Sequence, residues 1–116
     1  MPTEAEWEYA CGAGSRARYC RIKTAEPSGY RDLESDEDLK LVADFGRTYR
    51  EGPRDVELGE DLPDGTRRRL LPNAFGLFGM HGGLWEWCVS WYGNFSPTSL
   101  AGPEDGSDRV RRGGSW

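Results

Sequence analysis

The amino-acid sequence predicts a single, loop-rich α+β domain with a few short helices and short strands. A chain of 116 residues has room for one hydrophobic core. Its 16 glycines and 7 prolines favour turns and irregular loops over long regular elements. Its 5 Trp, 5 Tyr and 4 Phe compensate for a hydrophobic content of only 36%, because each buried aromatic ring removes on the order of 150 to 250 Å² from water.

The first helix is predicted to begin at Thr3. Thr3 stands three residues before Glu6, so the hydroxyl and the carboxylate can satisfy each other's backbone donors in a capping box. Gly12 and Gly14 are expected to end this helix. Its core face is expected to hold Trp7, Ala10 and Cys11.

The segment from Ser15 to Pro72 has no sustained periodicity, and we expect it to be mostly loop. A second short helix is predicted from Ser35 to Ala43, where Ser35 and Asp38 form another capping pair. The acidic residues around Asp38 suit a helix start. A cation bound by these carboxylates is the weaker alternative.

The core is predicted to lie after residue 72, where aromatic residues alternate with glycines from Asn73 to Trp87. The final block, Arg109 to Trp116, is expected to be a strand that runs into a glycine bend. Buried strand positions are expected at Leu84, Trp85, Trp87, Val89 and Trp91.

The charge balance excludes some partners. With 15 basic and 20 acidic residues the net charge is −5, which argues against nucleic acid or an anionic membrane as the main partner. The arginines at 67–69 and at 109–112 are expected to be solvated or salt-bridged loop residues. No apolar run reaches the roughly 20 residues of a membrane span, and the first residues lack the features of a signal peptide, so a cytoplasmic location is expected.

Three blocks of sequence, Pro2–Ala10 (PTEAEWEYA), Asn73–Trp87 and Arg109–Trp116 (RVRRGGSW), together resemble the sulfatase-modifying-factor (formylglycine-generating enzyme) family. The blocks occur in the family's order. The resemblance implies a C-type-lectin-like fold with a small antiparallel sheet and long ordered loops. It also implies that residues 1–116 are a partial, shortened domain, because family members carry strands before the first block. Without those strands, apolar surface around Trp85 and Trp87 is expected to be exposed.

The family includes copper-dependent oxidases that convert a sulfatase cysteine to formylglycine and iron enzymes that attach sulfur to histidine derivatives. The resemblance places the oxidases' two active cysteines just beyond the final block, so no catalytic residue and no copper site are expected here. His81 alone cannot form an iron site of two histidines and a carboxylate. Cys11, Cys20 and Cys88 are interpreted first as buried thiols, with a Cys11–Cys88 or Cys20–Cys88 bridge left open.

Calcium is the metal ion that the resemblance leaves possible. Family members bind it through a segment that corresponds to residues 83–86, and Glu86 matches a ligand there. Gly83 stands where the family has an Asn ligand, and Gly79 and Ser90 stand where the family has Asp, so each change removes a side-chain oxygen. Because calcium gathers six to eight oxygens, we expect weak binding or none, with Glu86 and the carbonyls of Gly83 and Leu84 as candidate ligands. The alternative role for Glu86 is a buried carboxylate that accepts backbone hydrogen bonds.

Three functional classes follow from these observations. The first is a non-catalytic, shortened relative of the family. The second is a lectin-like binding module for a protein or glycan partner, using the loops at 30–69 and 94–108 with exposed aromatic anchors. Those anchors are expected to be Trp91, Tyr92 and Phe95. The third is part of an enzyme that a further downstream segment completes.

Overall fold

The protein is described by a computed structural model that covers residues 1–46, 55, 59–94 and 102–115. Two helices and eight short strands occur within these residues. In chain order they are α1 Glu4–Gly12, β1 Arg21–Lys23, β2 Tyr30–Asp32, α2 Asp36–Leu39, β3 Ala43–Asp44, β4 Glu60–Asp61, β5 Arg67–Arg68, β6 His81–Gly82, β7 Glu86–Trp91 and β8 Arg109–Arg112.

The strands described here pair two by two. The pairs β1–β2, β4–β5 and β7–β8 are antiparallel, whereas β3 and β6 run parallel. This arrangement agrees with a small α+β domain that contains short antiparallel sheets. No described helix has the length and apolar character needed to cross a bilayer.

Helix α1 begins as the sequence predicts. The Thr3 hydroxyl accepts a hydrogen bond of 3.2 Å from the Glu6 amide, and the Glu6 carboxylate accepts one of 2.8 Å from the Thr3 amide. The helix includes Gly12, and Ala13 rather than a glycine takes the left-handed capping conformation, with φ of 51°. The Ala13 amide donates to the Tyr9 carbonyl over 3.1 Å, so the last turn is closed by a backbone hydrogen bond.

Helix α2 is shorter than predicted. Its capping box is present, because the Ser35 hydroxyl accepts from the Asp38 amide and the Asp38 carboxylate accepts from the Ser35 amide. The helix ends at Leu39, however, and Ala43 belongs to strand β3. Ala43 pairs with His81 of β6 instead of continuing the helix, and it is buried in this strand.

Two clusters of buried side chains form the core. The first packs α1 against one face of the β7–β8 sheet and contains Trp7, Cys11, Cys88 and Val110, with Met80 at its edge. The second lies around β1 and contains Cys20, Ile22, Leu33 and Val42, with Tyr19 and Leu39 beside it.

The sequence prediction of buried aromatic residues around β7 is wrong for several positions. Cys88 and Ser90 point inward and are buried, whereas Trp87 and Val89 lie on the opposite, solvent-exposed face. This division follows from the two-residue period of a strand, because α1 covers only one face of the sheet. The exposed set comprises Leu84, Trp85, Trp87 and Val89.

The arginines at 67 and 68 lie on a strand and not in a loop as expected, whereas the strand predicted to begin at Arg109 is confirmed. Arg67 and Arg68 form β5, and residues 109–112 form β8. The expected salt bridges are present for Arg67, whose Nε lies 2.8 Å from Asp61, and for Arg112, which pairs with Glu4 and Glu8.

Candidate functional site

Three hydrogen bonds join strand β7 to α1 and to the residues just before it. The Ser90 hydroxyl accepts from the Glu4 amide over 2.9 Å, and the Val89 amide donates to the Pro2 carbonyl over 2.8 Å. The indole nitrogen of Trp7 donates to Glu86 over 2.8 Å. These contacts fix the orientation of the sheet relative to the helix.

Arg112 completes the inner face. Its guanidinium forms ion pairs with Glu4 and Glu8 and lies 5.5 Å from the centre of the Trp7 ring. The positive charge of Arg112 is therefore balanced within the fold.

The outer face of the same sheet is open and forms a groove of about 420 Å³. We call this groove the Trp–Arg face. Its lining residues are Trp85, Trp87, Tyr92, Asp108, Arg109 and Arg111. The register of the sheet creates it, because Trp87 stands opposite Arg111 and Trp91 stands opposite Arg109.

Arg111 contacts two indole rings. Its guanidinium carbon is 5.5 Å from the centre of the Trp85 ring and 5.3 Å from that of Trp87. Both rings are about half exposed, at 52% and 53%. Their negative π faces hold the cation by cation–π attraction, so the side chain of Arg111 is positioned at an accessible surface.

Arg109 is held differently. Its guanidinium lies 3.4 Å from the centre of the Trp91 ring and donates a hydrogen bond to the Val89 carbonyl. Part of its hydrogen-bonding capacity is thus used within the sheet.

The three thiols are all buried and free, so neither of the disulfides left open by the sequence is formed. Burial raises the pKa of Cys11 to about 12, and it also raises the pKa values of Cys20 and Cys88. A thiol with such a pKa is protonated near neutral pH and is therefore a poor nucleophile and a poor metal ligand.

His81 lies in strand β6, beside Cys11. Its Nε2 is 3.6 Å from the Cys11 sulfur, and the Tyr19 ring meets it edge-on at 5.9 Å. Burial lowers the pKa of His81, so the imidazole is neutral at neutral pH. Two neutral groups in contact give no activated thiolate.

The whole chain, residues 1–116, matches the family model described as the sulfatase-modifying factor enzyme 1-like domain. The chain belongs to this family. The family that the three sequence blocks indicate is therefore confirmed.

Several curated relatives align with all of this sulfatase-modifying-factor chain. The formylglycine-generating enzyme of Thermomonospora curvata is 32% identical over 125 residues, which are 38% of its length, and that of Mus musculus is 30% identical over 124 residues, which are 30% of its length. The serine/threonine-protein kinase pkn1 of Chlamydia pneumoniae is 35% identical over 124 residues, 16% of its length. This chain thus spans a minor part of each relative. No solved structure matches it.

The calcium candidates of this sulfatase-modifying-factor chain lie in and just before β7. Glu86 is an exposed residue, not the buried acceptor of backbone hydrogen bonds given as its alternative role, and its Oε2 accepts the Trp7 indole N–H. The Gly83 amide donates to the Asp44 carbonyl over 2.8 Å. The Leu84 carbonyl faces Gly113, where an added Cβ would stand 3.4 Å from its oxygen. Within the described residues, no three His, Cys, Asp or Glu side chains are grouped to hold a metal ion.

The three aromatic residues predicted to anchor a partner differ in their exposure and in whether the structure describes them. Tyr92 is 75% exposed and lines the Trp–Arg face, whereas Trp91 is only partly exposed and lies under Arg109. Phe95 falls outside the described residues. Trp85, Trp87 and Arg111 were not among the predicted partner anchors, although the two-residue alternation along β7 and β8 could have indicated that they share the outer face.

Proposed function

We propose that this chain is a lectin-like sulfatase-modifying-factor domain that does not, by itself, oxidise a cysteine substrate. The state of its three thiols carries this proposal. Copper(I) binds thiolates, and cysteine oxidation also proceeds through the thiolate. All three cysteines are buried, and their raised pKa values keep them protonated at neutral pH.

The placement of the thiols supports the same proposal. Cys20 belongs to a different core cluster from Cys11 and Cys88, and each thiol is buried in its cluster, with Cys11 also in contact with His81. Packing of this kind stabilises the fold and keeps out a peptide substrate. The thiols therefore act as small apolar core residues.

An activity assay tests this proposal. The reduced chain is incubated with copper(I), oxygen and a peptide that carries a sulfatase-type cysteine, and aldehyde formation is followed with an aldehyde-specific reagent. The Thermomonospora curvata formylglycine-generating enzyme serves as the positive control. We expect no aldehyde above the protein-free background. Copper-dependent aldehyde formation that is lost in C11S or C88S would overturn the proposal.

A second candidate function is a binding module for a protein or glycan partner. The Trp–Arg face supports it, because two half-exposed tryptophans and an exposed tyrosine border an open groove. Tryptophan, tyrosine and arginine are the residues enriched at binding hot spots. Hot-spot side chains on a sheet are also positioned more firmly than those on a loop.

The binding function is tested by comparing W87A with V89A, since both side chains lie on the outer face of β7 and only Trp87 lines the groove. Partner binding should be lost in W87A and kept in V89A. Equal binding by the two variants would place the partner elsewhere.

A further inference from the structure

We propose that the Trp–Arg face binds an acidic peptide segment and that Arg111 is the receptor for its carboxylate. This inference rests on the binding function proposed above and names the class of ligand. It is carried by the contacts of Arg111, the shape of the groove and the chemistry of its lining.

The guanidinium of Arg111 has a positive charge and hydrogen-bond donors that are available to a ligand. Within the part of the chain that the structure describes, its interactions are the two cation–π contacts with Trp85 and Trp87, and it forms no ion pair. Contacts with ring faces leave the N–H groups at the edge of the guanidinium plane available. Those groups match the two oxygens of a carboxylate, which they can bind in a bidentate manner.

The other arginines on the described strands have polar partners. Arg67 pairs with Asp61, and Arg68 donates to the Lys40 carbonyl over 2.7 Å. Arg109 donates to the Val89 carbonyl, and Arg112 pairs with Glu4 and Glu8. On β1 and β2, arginines 21 and 31 pair with aspartates 32 and 38. Arg111 differs from all of these arginines because its contacts among the described residues are with ring faces, so its N–H groups have no polar partner there and can bind an external anion.

The lining of the groove favours a peptide carboxylate over a neutral sugar. Its charged groups are two guanidinium groups and one carboxylate, and that carboxylate, Asp108, already accepts a hydrogen bond of 2.8 Å from Ser107. A sugar hydroxyl is both a donor and an acceptor, so it requires acceptors as well as donors from its site. A carboxylate only accepts, and it therefore suits a surface dominated by donors.

A single unpaired guanidinium also suits a monoanion better than a phosphate group. Phosphate at neutral pH carries close to two charges and is usually bound by a cluster of arginines. Here Arg109 already interacts with Trp91 and Val89, and the whole chain has a net charge of −5. A ligand with one carboxylate on Arg111 and apolar side chains against the indole rings brings less negative charge to this acidic chain than a phosphate group does.

The geometry of the sheet fits an extended peptide. Arg109 and Arg111 both line the groove and lie on the same face of β8 two residues apart, which is a spacing of roughly 6.6 to 6.8 Å along a strand. Side chains on one face of an extended ligand have the same spacing. An acidic residue on Arg111 and an aromatic residue two positions away would thus each meet a groove residue.

Fluorescence titration of the chain tests the inference, because Trp85 and Trp87 report directly on occupation of the groove. The probe is an acetylated, amidated pentapeptide that carries one glutamate and one tyrosine two positions apart among serines, read by isothermal calorimetry where its own fluorescence interferes. The matched peptide replaces the glutamate with glutamine. We expect the glutamine peptide to bind about tenfold more weakly, since a hydrogen-bonded charged group typically contributes a factor of this size or more.

Three variants assign the binding to Arg111. R111Q should weaken binding of the glutamate peptide about tenfold, and R111K should fall between R111Q and the parent because it keeps the charge without the fork of donors. R67Q is the control, since it removes an equivalent positive charge from a strand outside the groove, and it should bind like the parent. A melting curve of each variant confirms that it is folded. Equal affinity for the two peptides, or equal losses in R111Q and R67Q, would overturn the inference.

Other occupants give different results. Binding of a uronic-acid oligosaccharide that depends on Arg111, without binding of the glutamate peptide, would overturn the peptide ligand and leave the binding function intact. Self-association that is abolished by R111Q would instead place a second copy of the chain in the groove. Failure of every probe, together with equal partner binding by W87A and V89A, would reject the binding function itself.

Discussion

The indole nitrogen of Trp7 donates a hydrogen bond of 2.8 Å to the carboxylate of Glu86, and this bond joins helix α1 to strand β7. Trp7 is buried, while the strand that carries Glu86 has its outer face in solvent. One polar contact thus connects the core of the domain to the sheet that forms the Trp–Arg face. The positions of the side chains on that face therefore depend on how α1 packs against the opposite face of the sheet.

Replacing Trp7 should therefore destabilise the whole domain. We expect W7F to lower the free energy of unfolding by about 1 to 3 kcal/mol, because it removes a donor and leaves a smaller ring in a buried site. Urea denaturation followed by circular dichroism measures the change. W85F is the matched control, since Trp85 is half exposed, and it should stay within about 0.5 kcal/mol of the parent. Equal losses in the two variants would contradict a central role for Trp7.

The capping residue Thr3 leads to a prediction about pH. Hydrogen bonds from the backbone amide and the hydroxyl of Thr3 hold the pKa of Glu6 below its usual value. A depressed carboxyl pKa stabilises the fold above the ordinary pKa, and this stabilisation is lost as the pH falls through the lowered value. We expect T3A to cost about 1 kcal/mol near neutral pH and progressively less in acid. Urea denaturation at a series of pH values measures this, and T3S, which keeps the hydroxyl, should behave like the parent.

Both helix starts could be predicted from the sequence, because a capping box is a local arrangement of residues three apart. Thr3 with Glu6 and Ser35 with Asp38 form such boxes in the structure. The end of α2 could not be predicted in this way. Ala43 pairs with His81, which is far along the chain, and pairing between such distant segments is not visible in local sequence.

The candidate site was predicted only in part, for a related reason. The aromatic content near Trp87 indicated an important segment, but hydrophobicity alone suggested burial. Which face of β7 is covered depends on where α1 packs, and the contact of Glu4 with Ser90 that fixes this spans 86 positions. The position of Arg111 opposite Trp87 likewise depends on the register of β7 and β8, which includes an irregularity between Trp87 and Trp91.

The Cys11 thiol should react slowly in the folded chain. Burial raises its pKa to about 12, and the thiolate is the reactive form. At about pH 8, alkylation of Cys11 by iodoacetamide should be far slower than in denaturant, and its rate should rise as the pH approaches 12. Mass spectrometry of the labelled peptides measures each cysteine separately. Labelling of folded Cys11 at the rate of an unstructured cysteine would contradict the prediction.

The raised pKa of Cys11 also has a consequence for stability. The unfolded thiol ionises near its ordinary pKa of 9.0, whereas the folded thiol keeps its proton until about pH 12. Stability is therefore present in full below pH 9 and falls as the pH rises toward 12, because the unfolded state loses its proton first. Urea denaturation across this range should show that fall, and C11A should show a smaller one.

Substitutions at Gly82 and Gly83 test how closely the backbones of β3 and β6 must approach each other. Both have positive φ, of 84° and 73°. A Cβ on Gly82 would stand 1.8 Å from the backbone oxygen of Asp44, whereas a Cβ on Gly83 would meet open space. We expect G83A to cost about 1 kcal/mol, from backbone strain alone, and G82A to cost several times more or to prevent folding. Denaturation of both variants measures this, and equal costs would show that the β3–β6 pairing can adjust.

Calcium binding is the remaining prediction from the family resemblance. One oxygen of Glu86 accepts the Trp7 indole N–H, and Gly83 has no side-chain oxygen to add. Because an ion that binds only the folded state raises the melting temperature, millimolar calcium should shift the melt little or not at all relative to chelator. E86Q should remove any shift that is present. A large shift in the parent that is lost in E86Q would show a strong site at Glu86 and contradict the expectation of weak binding. A large shift that persists in E86Q would place the ion at other ligands and contradict the assignment of Glu86.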